Sequence, residues 1–244
     1  VMLGMYAAFV VFSLFGVGPA VGAPFAALLL ATVGVIVYFS LIRHIMKGPM
    51  LAQILGTFGL ALLLRYSVFW WFGANFLSLP GNIVGGTFVF HGLHIEASRL
   101  LAGVVALLVT WGLHLLLTRT TLGSKMLAVA EDSTAAQLMG IRPDTMQAIA
   151  WAIAAGATGL AGALIATFFY IVPTVGETLA IIAFVTVSLG GFGSVPGALV
   201  AGLLIGVIES LSAYLIGGAY KDIVVYGLFL AILWFRPQGL MGKT

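Results

Sequence analysis

The chain has 244 residues, of which 62% are hydrophobic and only 7% charged, with a mean hydropathy of +1.20. A soluble domain carries about 25% charged residues because its surface faces water, so ten Lys/Arg and seven Asp/Glu cannot coat a globule of this size. These figures exclude a soluble enzyme, a disordered tail and a coiled coil; a net charge of +3 is too small for a nucleic-acid footprint, and the lack of cysteine removes disulfides and thiolate sites.

What remains is a chain whose outer surface meets lipid. A helix needs about 20 residues to cross a ~30 Å hydrocarbon core, and with loops the length accommodates about seven crossings. The first apolar run, residues 2–15, ends at the turn signal Gly16-Val17-Gly18-Pro19. Val1 lies inside that run and is not Met, which predicts an N-terminally truncated chain with a segment before it. Residues 20–42 are free of charge and long enough to span, and they stop at Arg43-His44 and Lys47-Gly48-Pro49. Residues 50–72 follow, with Arg65 inside and Trp70-Trp71 near the end. The Trp pair reads as an interfacial belt towards which Arg65 snorkels, an anchoring role in preference to a transport one.

Residues 76–99 read as a polar, Gly-rich external loop. Within it Phe88-Val89-Phe90 and Leu93-His94-Ile95 flank His91-Gly92, the pattern of a small hairpin. His91 and His94 have only Glu96 nearby as a third candidate ligand, so no metal is expected there. Further spans are predicted over 100–117, 148–172 (rich in Gly and Ala, with Gly156, Gly159 and Gly162), 198–216 and 223–235. Residues 178–189 are too short for a straight crossing, and the Gly-rich stretch 190–197 predicts a turn or re-entrant element.

The span 198–216 carries one charge, Glu209, and places Gly202 and Gly206 in small-xxx-small spacing for helix packing. An ionisable residue at that depth points to a pathway role; a helix–helix hydrogen bond, or contact with Ser210 or Ser212, explains it equally well. Glu177 reads as a rim residue. If 43–49, 119–147 and 236–244 face the cytoplasm, they hold Arg43, Lys47, Arg119, Lys125, Arg142, Arg236 and Lys243, leaving Arg65, Arg99 and Lys221 elsewhere. The positive-inside rule then places the C-terminus in the cytoplasm.

The segment 118–147 is long for a connection between spans. It contains helical pieces, with Asp132 or Ser133 as an N-cap and Gly140 as a stop. A short helix lying along the membrane and presenting Ala135, Ala136, Leu138 and Met139 is a docking element on physical grounds, or else an ordinary amphipathic interfacial helix. The tail Gly242-Lys243-Thr244 mimics the end of a phosphate-binding loop, but Pro237 stands where that motif needs glycine. No nucleophile–base arrangement is visible either, so the chain is read as having no ATPase site of its own and as no enzyme.

The pattern A-E-D-S-T-A-A-Q-L-M-G-I at 130–141 resembles the cytoplasmic coupling loop of ABC importer permeases. The stretch R-T-T-L-G-S-K-M-L-A-V-A-E-D before it, F-R-P-Q-G-L at 235–240 and M-L-G-M-Y-A-A at 2–8 resemble the branched-chain amino-acid permease family. Ala130-Glu131-Asp132 and Arg236-Pro237-Gln238-Gly239 favour its LivH-like type. The likeness covers nearly the whole chain, and the family's first helix is missing from it.

The resemblance implies an all-α, polytopic integral membrane protein with a cytoplasmic coupling helix, forming one transmembrane permease domain over residues 1–244 of a bacterial inner membrane. Its implied partners are a second permease subunit (homo- or heterodimer), two cytoplasmic ATP-binding subunits and an extracytoplasmic substrate-binding protein. It needs no cofactor, because ATP is used by the partners. Glu131, Asp132, Ala135, Ala136, Met139, Gly140 and Arg142 would form the ATPase-coupling loop, and Glu209, Gly202 and Gly206 the pathway or its packing. The expected cargo is branched-chain or related hydrophobic amino acids. Urea, amide or sugar importers of similar build are the alternative, and an ion-coupled carrier is the rival from another class.

Overall fold

The computed structural model describes residues 1–16, 18–79, 87–90, 93–218, 220–236 and 238–242. The expected His91-Gly92 turn and the readings placed on Pro237, Lys243 and Thr244 lie outside them. The architecture is all-α. Five helices among the described residues are long and apolar enough to cross a membrane: 22–45, Met50–Phe72, Ala97–Arg119, Pro143–Ile165 and Val195–Leu215. Two shorter apolar helices, Met2–Phe15 and Val175–Gly190, accompany them. In chain order the elements are α1 (Met2–Phe15), α2 (Pro19–Val37), a π-helical turn (Tyr38–Ile42), α3 (Arg43–Ile45) and α4 (Met50–Phe72). Strands β1 (Thr87–Phe90) and β2 (Leu93–Glu96) come next, then α5 (Ala97–Arg119), α6 (Thr121–Glu131), α7 (Ser133–Leu138) and α8 (Pro143–Ile165). The chain ends with α9 (Val175–Gly190), α10 (Val195–Leu215) and α11 (Lys221–Phe235).

The two β-prone triplets pair antiparallel, with Thr87 opposite Glu96 and Phe90 opposite Leu93. By contact the chain divides into one unit of Val1–Val109 with Leu116–Gly176, and a second of Thr110–Leu115 with Glu177–Thr244.

In the first unit α1, α2 and α8 pack on one another. Lipid tails are as apolar as leucine, so helices gain little by burying apolar side chains against each other; close backbone approach through small residues drives association instead. The contacts here are of that kind. A Cβ at Gly159 would lie 2.8 Å from the Ala26 carbonyl oxygen and 2.9 Å from Leu30 Cβ, and one at Gly4 would lie 2.6 Å from the Gly159 carbonyl oxygen. Gly34 is equally crowded, 2.9 Å from the Trp151 carbonyl oxygen by the same construction. Away from this crossing, Tyr6 meets Phe72 in a tilted ring contact, with centroids 4.8 Å apart. Leu77 and Ile171 exchange backbone hydrogen bonds of 3.1 and 2.8 Å.

In the second unit α10 packs on α11, with Val185, Ile205 and Val225 buried together. The predicted packing glycines do not carry this contact. Beyond their own helix backbone, a Cβ at Gly202 would meet only the Thr186 methyl at 3.5 Å, and one at Gly206 would meet no described atom within 4 Å. Small-xxx-small spacing permits close approach without requiring it, and α10 presents a different face to α11. Within the stretch 190–197 only residues 191–194 leave the helices, as a tight turn between α9 and α10 and not a re-entrant helix. The Leu240 and Met241 amides donate to the carbonyls of Leu189 (2.8 Å) and Gly190 (3.1 Å), tying residues 240–241 to the end of α9.

The unequal crowding of these glycines gives opposite expectations for two identical substitutions. Gly159→Ala should lower stability in detergent by on the order of 1–3 kcal/mol, the usual cost of overpacking. Gly206→Ala should leave stability unchanged or raise it by up to about 1 kcal/mol through helix propensity. Thermal melts of the two purified variants test this, and equal destabilisation would contradict the packing described.

Candidate functional site

The long polar connection is an ordered sequence of corners. α5 ends at Arg119, and Thr120 turns the chain with extended backbone (φ −110°). Its hydroxyl donates to the Leu116 carbonyl at 2.6 Å and accepts from the Gly123 amide at 3.1 Å, which caps α6. The corner is so tight that any Cβ at Gly123 would collide with the backbone of Leu116 and Leu117. The glycine in R-T-T-L-G is therefore a close-approach residue.

α6 runs to Glu131, and Asp132 (φ −148°) makes the next corner. Its Oδ1 accepts from the Thr134 and Ala135 amides at 2.8 and 3.0 Å, so Asp132, and not Ser133, is the N-cap of α7. Gly140 follows with φ +81°, a left-handed conformation that disfavours any side chain. The Ile141 amide then returns to the Ala136 carbonyl at 3.0 Å.

α7 presents Leu138 and Met139, which are 85% and 82% exposed, together with Ala135. Glu131, Asp132 and Gly140 are exposed beside them. Ala136 departs from expectation: at 4% exposure it faces the chain's own interior. A short helix that packs on α6 and α8 must turn one side inwards, and the backbone bond from Ile141 pins Ala136 to that side.

The polar connection also ends earlier than composition indicates. α8 begins at Pro143, with Arg142 as its N-cap residue, so Asp144 and Gln147 belong to the first turns of a spanning helix. Both meet the π-helical end of α2. Tyr38, completely buried, donates its hydroxyl proton to Gln147 Oε1 at 2.7 Å and has Asp144 Oδ1 at 3.5 Å. Arg43 Nη2 bonds Asp144 Oδ2 at 2.6 Å, while Arg43 Nε is buried with no hydrogen-bond partner among the described residues. None of Tyr38, Arg43, Asp144 or Gln147 stands out as a site by sequence alone, because the pairs are 101 and 109 residues apart. The available signal was a tyrosine and an arginine closing a charge-free span.

In the second unit Glu209 is paired rather than free: Lys221, at the start of α11, donates to its Oε1. That hydrogen bond is the main reason the Lys221 ammonium sits above its ordinary pKa. By sequence Ser210 and Ser212 are the nearest candidate partners of Glu209. Ser210 instead bonds the Gly206 carbonyl at 2.8 Å along its own helix. At the other predicted polar loop, Glu96 pairs with Arg99 at 3.0 Å across the first turn of α5, and the Arg99 guanidinium lies 5.6 Å from the Phe168 ring centroid. No group of three His, Asp or Glu side chains that could hold a metal ion occurs among the described residues.

Residues 1–233 match the family described as branched-chain amino acid transport system / permease component. The chain belongs to that family. Among relatives of this permease family it is 39% identical over 166 residues to the high-affinity branched-chain amino acid transport system permease protein BraD of Pseudomonas aeruginosa, a match covering 68% of this chain and 54% of the relative. It is 29% identical over 206 residues to the corresponding permease protein LivH of Escherichia coli, covering 82% and 67% of the two chains. It is 31% identical over 258 residues to the probable branched-chain amino acid transport permease protein LivH of Methanocaldococcus jannaschii, covering 99% and 80%. The match thus spans about half the length of the first of these permeases and two thirds of the second. No solved structure matches it.

The corners of the loop can be tested one at a time. Asp132→Ala should destabilise α7 by about 1 kcal/mol, as loss of an N-cap does, whereas Asp132→Asn should be close to neutral. Amide hydrogen exchange at Thr134 and Ala135 is the measurement, and unchanged protection in Asp132→Ala would count against the cap.

Proposed function

We propose that the chain is one of the two membrane subunits of an ATP-driven importer for branched-chain or related hydrophobic amino acids. The observation that carries this reading is the family match over residues 1–233 together with an exposed, capped helix–turn at 131–140 that offers Leu138 and Met139 to a partner. In this reading α7 docks into a cytoplasmic ATP-binding subunit. Glu131 and the Asp132 carboxylate lie at its start to meet basic groups, and the partners bind and hydrolyse the ATP. A second permease subunit completes the pathway, and an extracytoplasmic binding protein delivers the substrate. The C-terminus and the 119–142 connection lie on the cytoplasmic side, as their Lys/Arg content favours.

Alternating access needs no charged binding cluster in the membrane. The pairing of Glu209 with Lys221 supports a structural role for that carboxylate over a proton relay, and this weighs against an ion-coupled carrier acting alone.

Uptake in vesicles should require ATP, the ATP-binding subunits and added binding protein. Uptake driven by a proton gradient without them would overturn the reading. Gly140→Val should reduce uptake to background while membrane insertion remains normal, because the left-handed backbone at this corner sets the angle of α7. Membrane fractionation alongside uptake separates those two effects.

A further inference from the structure

The four polar side chains at the junction of α2 and α8 form a bonding pattern that is left incomplete. Tyr38 has one hydroxyl proton and gives it to Gln147, leaving Asp144 Oδ1 at 3.5 Å, outside good hydrogen-bond range. Arg43 uses one nitrogen on one carboxylate oxygen, although arginine and carboxylate commonly pair through two parallel bonds. Its Nε is buried and unpartnered, an unfavourable state for a donor. One donor of Arg43 is therefore left without a partner, while Asp144 Oδ1 has only the long contact from the Tyr38 hydroxyl. A small displacement of the first turn of α8 against the end of α2 would convert the single bond into a paired one.

The helical geometry at the same place is suited to such a displacement. Residues Tyr38–Ile42 are π-helical, a local departure that is costly in a regular helix and concentrates at functional sites. Arg43 follows it directly, and Tyr38 opens it. On the other side, Asp144 and Gln147 are two and five residues beyond Arg142, where the polar connection ends. α7 is joined to α8 through Gly140, Ile141 and Arg142, two residues before Asp144, and it also packs on α8 directly.

We propose that Arg43 and Asp144, seated by Tyr38 and Gln147, are the positioning residues through which movement of the 119–142 connection is passed to the spanning helix α2, with the single and paired Arg43–Asp144 arrangements as the two ends of that movement. This rests on the transport reading above. The joint transmits by exchanging one hydrogen-bond pattern for another; it touches neither substrate nor ATP.

The test uses the complete importer, with both permease subunits, the ATP-binding subunits and the binding protein, in proteoliposomes. Arg43→Ala and Asp144→Ala should each cut uptake per ATP hydrolysed by about tenfold, the scale of a lost coupling between sites, while the complex still assembles. The exchange Arg43→Asp/Asp144→Arg should restore most of that ratio. If the variants reduce only the amount or melting temperature of the complex and leave uptake per ATP unchanged, the residues are merely structural and the proposal fails. The chain has no cysteine, so a second test is direct: Arg43→Cys/Asp144→Cys bridged by a short cleavable bis-maleimide should stop uptake, and cleavage should release it. Undiminished uptake with the bridge in place would overturn the proposal. A wild-type complex with no ATP-dependent uptake would instead overturn the functional reading beneath it.

Discussion

The first unit depends on how closely α8 passes α1 and α2. That distance is set at Gly4, Gly34 and Gly159, whose bare backbone meets neighbouring backbone and the Cβ atoms of Leu30 and Ala155, leaving no room for a side chain on the glycines. In water such a crossing would be one contribution among many, since burying leucine against leucine is already favourable. In lipid the apolar term nearly vanishes, and dispersion between closely apposed backbones carries the association. The helices α1, α2 and α8 therefore sit where their glycines allow, and side chains elsewhere on them adapt.

That constraint positions everything at the end of α8. With α8 held against α2, its first turns lie beside the π-helical turn, and Asp144 and Gln147 meet Arg43 and Tyr38. Taking Tyr38 out of water costs free energy unless its hydroxyl is bonded, and Gln147 supplies that bond. The connection leading to α8 is built on a different principle, in which single residues satisfy helix ends. Thr120 caps α6, Asp132 caps α7, and Gly140 supplies a left-handed corner. Each corner is local, and together they give the exposed Leu138 and Met139 a defined direction.

Much of this was legible in advance. The apolar runs named the helices, because affinity for lipid belongs to a stretch of residues and needs no knowledge of its neighbours. The pairing of the β-prone triplets 88–90 and 93–95, a cap at Asp132 or Ser133 and the Gly140 stop were readable for the same reason: each is decided within a few residues. The helix limits were less so. α8 starts at Pro143, ahead of its apolar run, since a capped helix continues through polar residues once tertiary contacts hold it. Gly202 and Gly206 show the limit from the other side. Their spacing matched a packing motif, yet close approach occurs at other glycines, among them Gly4, Gly34 and Gly159 in the first unit and Gly190 and Gly197 in the second. A glycine pattern states that close approach is possible on one face, and only a partner helix turns that into a contact. Ala136 was misplaced because the inward side of a six-residue helix depends on what lies behind it.

By itself, the sequence determined that this chain lives in lipid, that it is helical, where its polar connection lies and to which permease family it belongs. These follow from composition, from short-range capping chemistry and from motifs that are continuous in the chain. The tertiary structure alone decided which glycines are crowded, that Glu209 answers Lys221, and that Arg43 and Tyr38 meet Asp144 and Gln147 across more than a hundred residues. Those contacts depend on the rotation and depth of each helix against its neighbour. Rotation is nearly invisible in a membrane protein's sequence, because lipid-facing and helix-facing sides are both apolar.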